Sequence, residues 1–189
     1  MRSEAQRDLE KENLLDSRLA YQGKIIGLKL ETYRLGQKTK IAEIVRHPGA
    51  VVIVPVDAEG NLLLVRQWRR AANEILIELP AGTLEPNEPP ATAALRELQE
   101  ETGYAAKALI PLGGFFSAPG FCTEYLHLFA AEGLSPAPLP PDDDEQIDLL
   151  SLPLADAFQM IEKGEIQDAK TIAGLFRYQL WKNPCATSF

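Results

Sequence analysis

Alternating hydrophobic and polar positions predict a series of short β-strands along this chain. Residues 1–16 are charged with interspersed leucines and predict a short helix or a loose arm. Strand-like patterns follow at 24–34 and 40–45, on either side of a turn signal at 35–37, which predicts a small antiparallel unit. His47-Pro48-Gly49 predicts a turn that marks the boundary between this unit and the main domain. We therefore expect an N-terminal arm and β unit over 1–47 and a main domain over 48–189.

The main domain mixes strands and helices. The hydrophobic pattern predicts strands at 50–56, 62–68, 75–79, 107–112, 114–117, 125–131 and 147–152, and helices ending at Gly103 and covering 153–163 and 168–182. These elements alternate without a strict βαβ rhythm. They predict an α/β fold with a mixed sheet and helices on its faces, rather than a dinucleotide-binding Rossmann sheet.

Composition narrows the classes of function. The 189 residues carry 27 acidic and 19 basic side chains, a net charge of −8, and the basic residues form no dense block, which disfavours nucleic-acid binding. No apolar run is long enough to span a bilayer, and the N-terminus lacks the apolar core of a secretory signal. The two cysteines are far apart and favour a reducing cytoplasm. An anionic substrate is compatible with this acidity if divalent cations neutralise it.

The segment 82–104 carries the strongest chemical signal. Pro89 and Pro90 predict the first turn of a helix and Gly103 its end. On that helix the apolar positions 91, 94, 95 and 98 form one arc, and three carboxylates lie on the neighbouring arc: Glu97, Glu100 and Glu101. Like charges one turn apart near a helix C-terminus are unfavourable. A bound hard cation with oxygen ligands accounts for them, whereas a merely solvated acidic face is the alternative.

The spacing around these carboxylates resembles the Nudix box. Seven residues fit the pattern G-x5-E-x7-R-E-U-x-E-E-x-G-U: Gly82, Glu88, Arg96, Glu97, Glu100, Glu101 and Gly103. If each of the seven specified residues occurs by chance about one time in ten, the whole pattern begins at a given position of a random sequence with a probability of about 10⁻⁷. The resemblance implies an α/β/α sandwich that hydrolyses nucleoside diphosphates linked to another moiety, with Mg²⁺ or Mn²⁺. It implies Glu97, Glu101 and the Ala81 carbonyl as metal ligands, and Glu100 as a ligand or base.

Flanking segments resemble the ADP-ribose pyrophosphatase subgroup. These are Arg66-Gln67-Trp68-Arg69, Glu78-Leu79-Pro80-Ala81-Gly82, Ser117-Ala118-Pro119-Gly120-Phe121 and Asp168-Ala169-Lys170-Thr171. Arg66 and Arg69 point to opposite faces of a strand, so they cannot both line one pocket. The resemblance implies substrate contacts from Arg69, Glu78, Pro119 and Gly120, with Arg46 a weaker candidate. It implies ADP-ribose as substrate, with AMP and ribose 5-phosphate as products.

The same resemblance implies three further features. A glutamate in the acidic loop 142–145 orients or deprotonates the attacking water, with Glu145 the aligned residue and Asp144 its competitor. The N-terminal unit is exchanged in a homodimer and supplies an aromatic ring to adenine, from Tyr33 or Tyr21. The remaining alternatives are a diphosphatase for GDP-mannose, NADH or a related compound, and a non-catalytic ADP-ribose sensor.

Overall fold

A computed structural model describes residues 2–138 and 147–184, with side chains from Gln6 onwards. The predicted acidic loop, with Glu145 and Asp144, lies outside the described residues. The chain separates into two compact units. The N-terminal unit comprises the residues up to Pro48 together with Ala118–Glu124, and the main unit comprises Gly49–Ser117 and the residues from Tyr125 onwards.

The N-terminal unit is a helix followed by a three-stranded antiparallel sheet. Its elements are α1 (Arg2–Asn13), β1 (Leu14–Gln22), β2 (Gly27–Leu35) and β3 (Lys38–Arg46), and the strand order is β1-β2-β3. The sequence did not predict β1 as a whole strand. Every residue of β1 is exposed within the chain, so neither face selects an alternating pattern.

The main unit contains two sheets. A mixed sheet has the order β7-β4-β9-β8, in which β4 and β9 are parallel, and an antiparallel sheet has the order β10-β5-β6. The strands are β4 (Ala50–Pro55), β5 (Asn61–Arg69), β6 (Glu74–Glu78), β7 (Ala81–Thr83), β8 (Tyr104–Phe116), β9 (Tyr125–Pro136) and β10 (Ile147–Pro153). The predicted strands 107–112 and 114–117 form one strand, β8, with an irregularity between Pro111 and Gly113.

Helices cover both faces of the mixed sheet. These are α2 (Pro90–Thr102) and α4 (Ala169–Lys182), while α3 (Leu154–Glu162) contacts β5 and β10 of the antiparallel sheet. Because side chains alternate along β4, Val51 and Ile53 pack with α2, while Val52 and Val54 belong to the core that includes Leu175 of α4. The predicted α/β/α sandwich is confirmed. None of the described helices is long and apolar enough to cross a membrane.

Candidate active site

The carboxylate helix α2 is defined by residues at its two ends. Pro89 and Pro90 stand at its start, and Gly103 caps its end with a φ of 75°, the left-handed conformation that glycine adopts without strain. Its buried face differs from the predicted arc. Ala93 is buried and Leu95 is 39% exposed, because α2 turns the side that carries Glu101 towards the sheet.

Arg96 holds three carboxylates together. Its Nη1 donates to Glu97 at 2.7 Å and to Glu100 at 2.8 Å, while Nε and Nη2 each donate to a different oxygen of Glu88 at 3.0 Å. The hydrogen bonds to Glu88 raise the pKa of Arg96, and they lower the pKa of Glu88. A fixed cation therefore keeps mutually repelling carboxylates on one side of the helix.

The edge strand β7 meets this cluster with its backbone. Hydrogen bonds from Ile53 to Pro80 and from Leu84 to Gly49 join alternate residues to β4, so the amide of Ala81 faces the outer edge. There the Ala81 N–H donates to Glu101 at 2.9 Å. In a strand, the N–H and C=O of one residue point to the same side, so the Ala81 carbonyl faces this edge too.

Gly82 provides the space in which Glu97 lies. A Cβ at Gly82 would stand 1.9 Å from the Cδ and from one carboxylate oxygen of Glu97. The Glu97 carboxylate thus lies directly against the β7 backbone, in a cradle that only glycine leaves open. The sequence identifies Gly82 only as a residue of the motif, and the structure shows that the space beside it is filled by a carboxylate.

The donor set fits a hard divalent cation. The carboxylates of Glu97, Glu100 and Glu101 and the outward carbonyl of Ala81 are all oxygen ligands, and such ligands suit Mg²⁺ and Mn²⁺. Among the described residues no three acidic, histidine or cysteine side chains already converge as a metal cluster. Arg96 bonds one oxygen of Glu97 and one of Glu100, so one guanidinium offsets part of the negative charge of this cluster. The metal-ligand assignments remain predictions.

A second polar network lies at the end of β5. Arg69 donates from Nε to Glu78 at 2.7 Å and from Nη2 at 2.6 Å, and Lys170 of α4 also donates to Glu78. Glu78 is 1% exposed. Its burial favours a raised pKa, but the hydrogen bonds from Arg69 and Lys170 outweigh burial and lower the pKa. Conversely, Glu78 raises the pKa of Arg69, and the charges of Glu101 and Asp168 add to that rise.

Four predicted substrate residues lie in the N-terminal unit. Pro119 and Gly120 form an exposed turn, which is closed by hydrogen bonds from Phe121 and Cys122 to Ala118. That segment bonds to β3 at Val45, the residue before Arg46: the Val45 N–H donates to the Phe121 carbonyl, and the Thr123 N–H donates to the Val45 carbonyl. The unit therefore brings Arg46 beside the turn. Tyr33 is half-buried on β2.

Lys170 was not selected as a site residue from the sequence. The helix start Asp168-Ala169-Lys170-Thr171 was noticed, and Asp168 does cap α4 by accepting from the Thr171 N–H at 2.9 Å. The contact between Lys170 and Glu78 joins residues 92 positions apart, and no local pattern signals it.

Comparisons with known proteins agree on the family. The model of the NUDIX domain matches residues 45–175. ADP-ribose pyrophosphatase of Bacillus subtilis is 41% identical over 85% of this chain and 88% of its own length. The methanol dehydrogenase activator of Bacillus methanolicus is 39% identical over 91% and 95%. GDP-mannose pyrophosphatase of Cronobacter sakazakii is 33% identical over 79% and 85%. A crystal structure of an ADP compounds hydrolase covers 89% of this chain and 92% of its own, with a TM-score of 0.79 and 23% identity.

Proposed function

Because the chain belongs to the NUDIX domain family, we propose that it is an ADP-ribose diphosphatase that yields AMP and ribose 5-phosphate with Mg²⁺. The observation that carries this proposal is the carboxylate set of α2, which faces the outward amide of Ala81 and is cradled by Gly82. The residues are those of a Nudix hydrolase, and a divalent cation is the cofactor that their oxygen atoms suit.

In the proposed site, Glu97, Glu100, Glu101 and the Ala81 carbonyl hold the cation. A divalent ion bound there would neutralise diphosphate charge and lower the pKa of a coordinated water. Arg96 keeps Glu97 and Glu100 from moving apart through its two Nη1 hydrogen bonds. The Ala81 N–H fixes one oxygen of Glu101. Both contacts restrict the positions of these carboxylates before the cation binds.

The reaction adds a water oxygen to one phosphorus, and the bridging oxygen leaves with the other phosphate. We assign the removal of the water proton to Glu145, with Asp144 as the competing residue and Glu100 as a third candidate. General-base catalysis of this kind contributes about 10²–10⁴-fold.

Arg69 is the proposed phosphate contact. Its hydrogen bonds to Glu78 use Nε and Nη2, and among residues 2–138 and 147–184 no group accepts from Nη1. The Arg69 side chain is 40% exposed, and we propose that its Nη1 makes the contact with the ligand. A guanidinium held at one edge by a carboxylate presents its other edge in a fixed direction. Glu78 therefore acts on the substrate through Arg69.

The N-terminal unit supplies the remaining contacts in this proposal. Tyr33 stacks on adenine, with Tyr21 as the alternative, while Arg46, Pro119 and Gly120 bind the rest of the nucleotide.

We also propose that two chains associate through this unit and work in the cytoplasm. Ten large apolar residues of the unit are more than 40% exposed within one chain: Leu9, Leu14, Leu15, Leu19, Tyr21, Ile25, Ile26, Leu35, Ile41 and Phe121. Such a surface is typical of an interface. Sedimentation should give twice the 20.9 kDa chain mass.

The function is tested with purified protein, Mg²⁺ and a panel of nucleoside diphosphate compounds. We expect ADP-ribose to be converted to equal amounts of AMP and ribose 5-phosphate, as measured by chromatography. Glu101→Gln should abolish turnover, whereas Glu162→Gln, an exposed position on α3, should not change it. Intact ADP-ribose alongside cleavage of another compound would overturn the choice of substrate. Wild-type turnover by the Glu101 variant would overturn the metal-site assignment.

GDP-mannose is the second candidate substrate. Proteins named for its hydrolysis are 33–35% identical to this chain over 67–79% of it. The bridging diphosphate and its contacts with Arg69 and α2 would be common to both substrates. The ratio of kcat/KM for ADP-ribose and GDP-mannose, measured on the same preparation, decides between them.

A further inference from the structure

We propose that Lys170 is a positioning residue that aims Arg69 at the substrate diphosphate by fixing the Glu78 carboxylate, an inference that rests on the proposed function. Lys170 touches no reacting group in this scheme. It donates to the same Glu78 oxygen, Oε2, that accepts from Arg69 Nη2. The carboxylate is therefore held from two directions, by β5 on one side and by α4 on the other.

The geometry explains why Arg69 alone does not fix its own direction. The two hydrogen bonds between Arg69 and Glu78 lock the guanidinium and the carboxylate into one plane. Without a third contact, only the packing around buried Glu78 would hold that plane, and any rotation about the Glu78 side chain would carry Nη1 with it. Arg69 is 40% exposed, so its own surroundings resist that motion only partly. Lys170, which is 14% exposed, supplies the third contact.

Lys170 is itself anchored in a rigid part of the fold. Its Nζ donates to Asp168 at 3.1 Å, and the same Asp168 oxygen accepts from the Thr171 N–H at 2.9 Å. The Thr171 hydroxyl in turn accepts from the Leu79 N–H at 2.8 Å, next to Glu78 in the chain. The start of α4 is thus bonded both to the side chain of Glu78 and to the backbone of the following residue.

Close packing keeps α4 in this place. Gly174, one turn after Lys170, faces Leu79, and a Cβ there would stand 2.6 Å from the Leu79 Cδ1. Thr171 is fully buried. Because α4 packs closely against Leu79 through Gly174 and the buried Thr171, it holds the Lys170 ammonium beside Glu78. The charges of Arg69, Lys170, Glu78 and Asp168 sum to zero, so the network is neutral before substrate binds.

The proposal is tested by Lys170→Met with Lys182→Met as the matched control. Lys182 is in the last turn of the same helix and pairs with Glu132 at 2.7 Å. We expect Lys170→Met to raise KM about tenfold, the size of one charged hydrogen bond, with kcat within about threefold of wild type. Lys182→Met should leave both constants unchanged. Lys170→Arg, which keeps the charge and the donors, should recover most of the loss.

A double-variant cycle separates positioning from general damage to the fold. If Lys170 acts through Arg69, adding Lys170→Met to Arg69→Ala should change kcat/KM by less than about twofold. If the two substitutions instead lower kcat/KM by independent factors that multiply in the double variant, the proposal is wrong. A KM for Lys170→Met within about twofold of wild type would also overturn it. If Lys170→Met does not fold, Lys170→Gln takes its place in the cycle.

The two proposals fail in different ways. Absence of ADP-ribose turnover by the wild type would refute the proposed function. The cycle would then be run with the diphosphate compound that the wild type does cleave.

Discussion

Replacing Gly82 with alanine separates the catalytic contribution of this residue from its contribution to folding. The added Cβ would stand 1.9 Å from two atoms of the Glu97 carboxyl group, and ordinary contact begins near 3.4 Å. The carboxylate must therefore move by 3.4 − 1.9, or about 1.5 Å. Displacements of about 1 Å at a catalytic group reduce rates about 10²-fold. We expect kcat/KM for ADP-ribose to fall by about 10²-fold and the apparent Kd for Mn²⁺ to rise.

The stability of the same variant should change little. Gly82 lies in an extended strand where alanine is allowed, and the displaced atoms are the far end of a flexible side chain. We expect the free energy of unfolding to stay within about 1 kcal/mol of wild type. Gly60→Ala is the matched control, for which we expect the reverse pattern of effects on stability and activity. Gly60 has a φ of 85° with nothing close to it, so that variant should lose about 1 kcal/mol of stability and keep its activity.

The measurements are steady-state kinetics, Mn²⁺ titration by paramagnetic resonance and urea unfolding. Gly82→Ala in a Glu97→Gln background should add little further loss of activity, because the carboxylate that it displaces is already neutralised. A Gly82→Ala protein with wild-type kcat/KM and wild-type Mn²⁺ affinity would refute the role of the cradle.

Three further predictions concern separate parts of the main unit. Because hydrogen bonds lower the pKa of Glu78, its ionised form stabilises the fold above about pH 4.3, its unfolded value, and that stability is lost as pH falls towards the folded pKa. Urea unfolding should therefore show Glu78→Gln to be about 3 kcal/mol less stable at pH 7, with a smaller further loss on acidification than wild type. Glu145→Gln should lower kcat by about 10²–10⁴-fold in initial-rate assays, and a loss under threefold would move the base to Asp144 or Glu100. Leu98→Ala, at a fully buried position on the inner face of α2, should lower the free energy of unfolding by about 3 kcal/mol. A loss below about 1 kcal/mol would contradict the described packing.

The elements set by local residues could be predicted from the sequence. Pro90 and Gly103 mark the ends of α2 through backbone preferences that need no tertiary partner. The carboxylate spacing predicts which side chains share one side of that helix. Which apolar residues are buried depends on how the helix rests on the sheet, so Leu95 was placed on the buried arc although it is exposed.

Elements defined by distant partners could not be predicted in this way. The three residues of β7 are too few to show a period, and they form a strand because β4 lies beside them. The Lys170–Glu78 contact depends on where α4 rests against Leu79. For Glu97, the sequence supplied the residue and the motif, but the carboxylate-filled space over Gly82 emerges only when α2 and β7 are in place.

The segment Glu78–Gly82 has a consequence for how this protein can vary. Its successive groups each serve a different neighbour: the Glu78 carboxylate bonds Arg69, the Leu79 N–H bonds α4, the Pro80 carbonyl bonds β4, and the Ala81 N–H bonds α2. Inserting or deleting one residue would exchange inward and outward groups along the whole segment. Insertions or deletions should therefore abolish folding or activity in this segment, whereas loops such as 57–60 should tolerate them. Changes of substrate preference through altered chain length would have to arise outside these five residues.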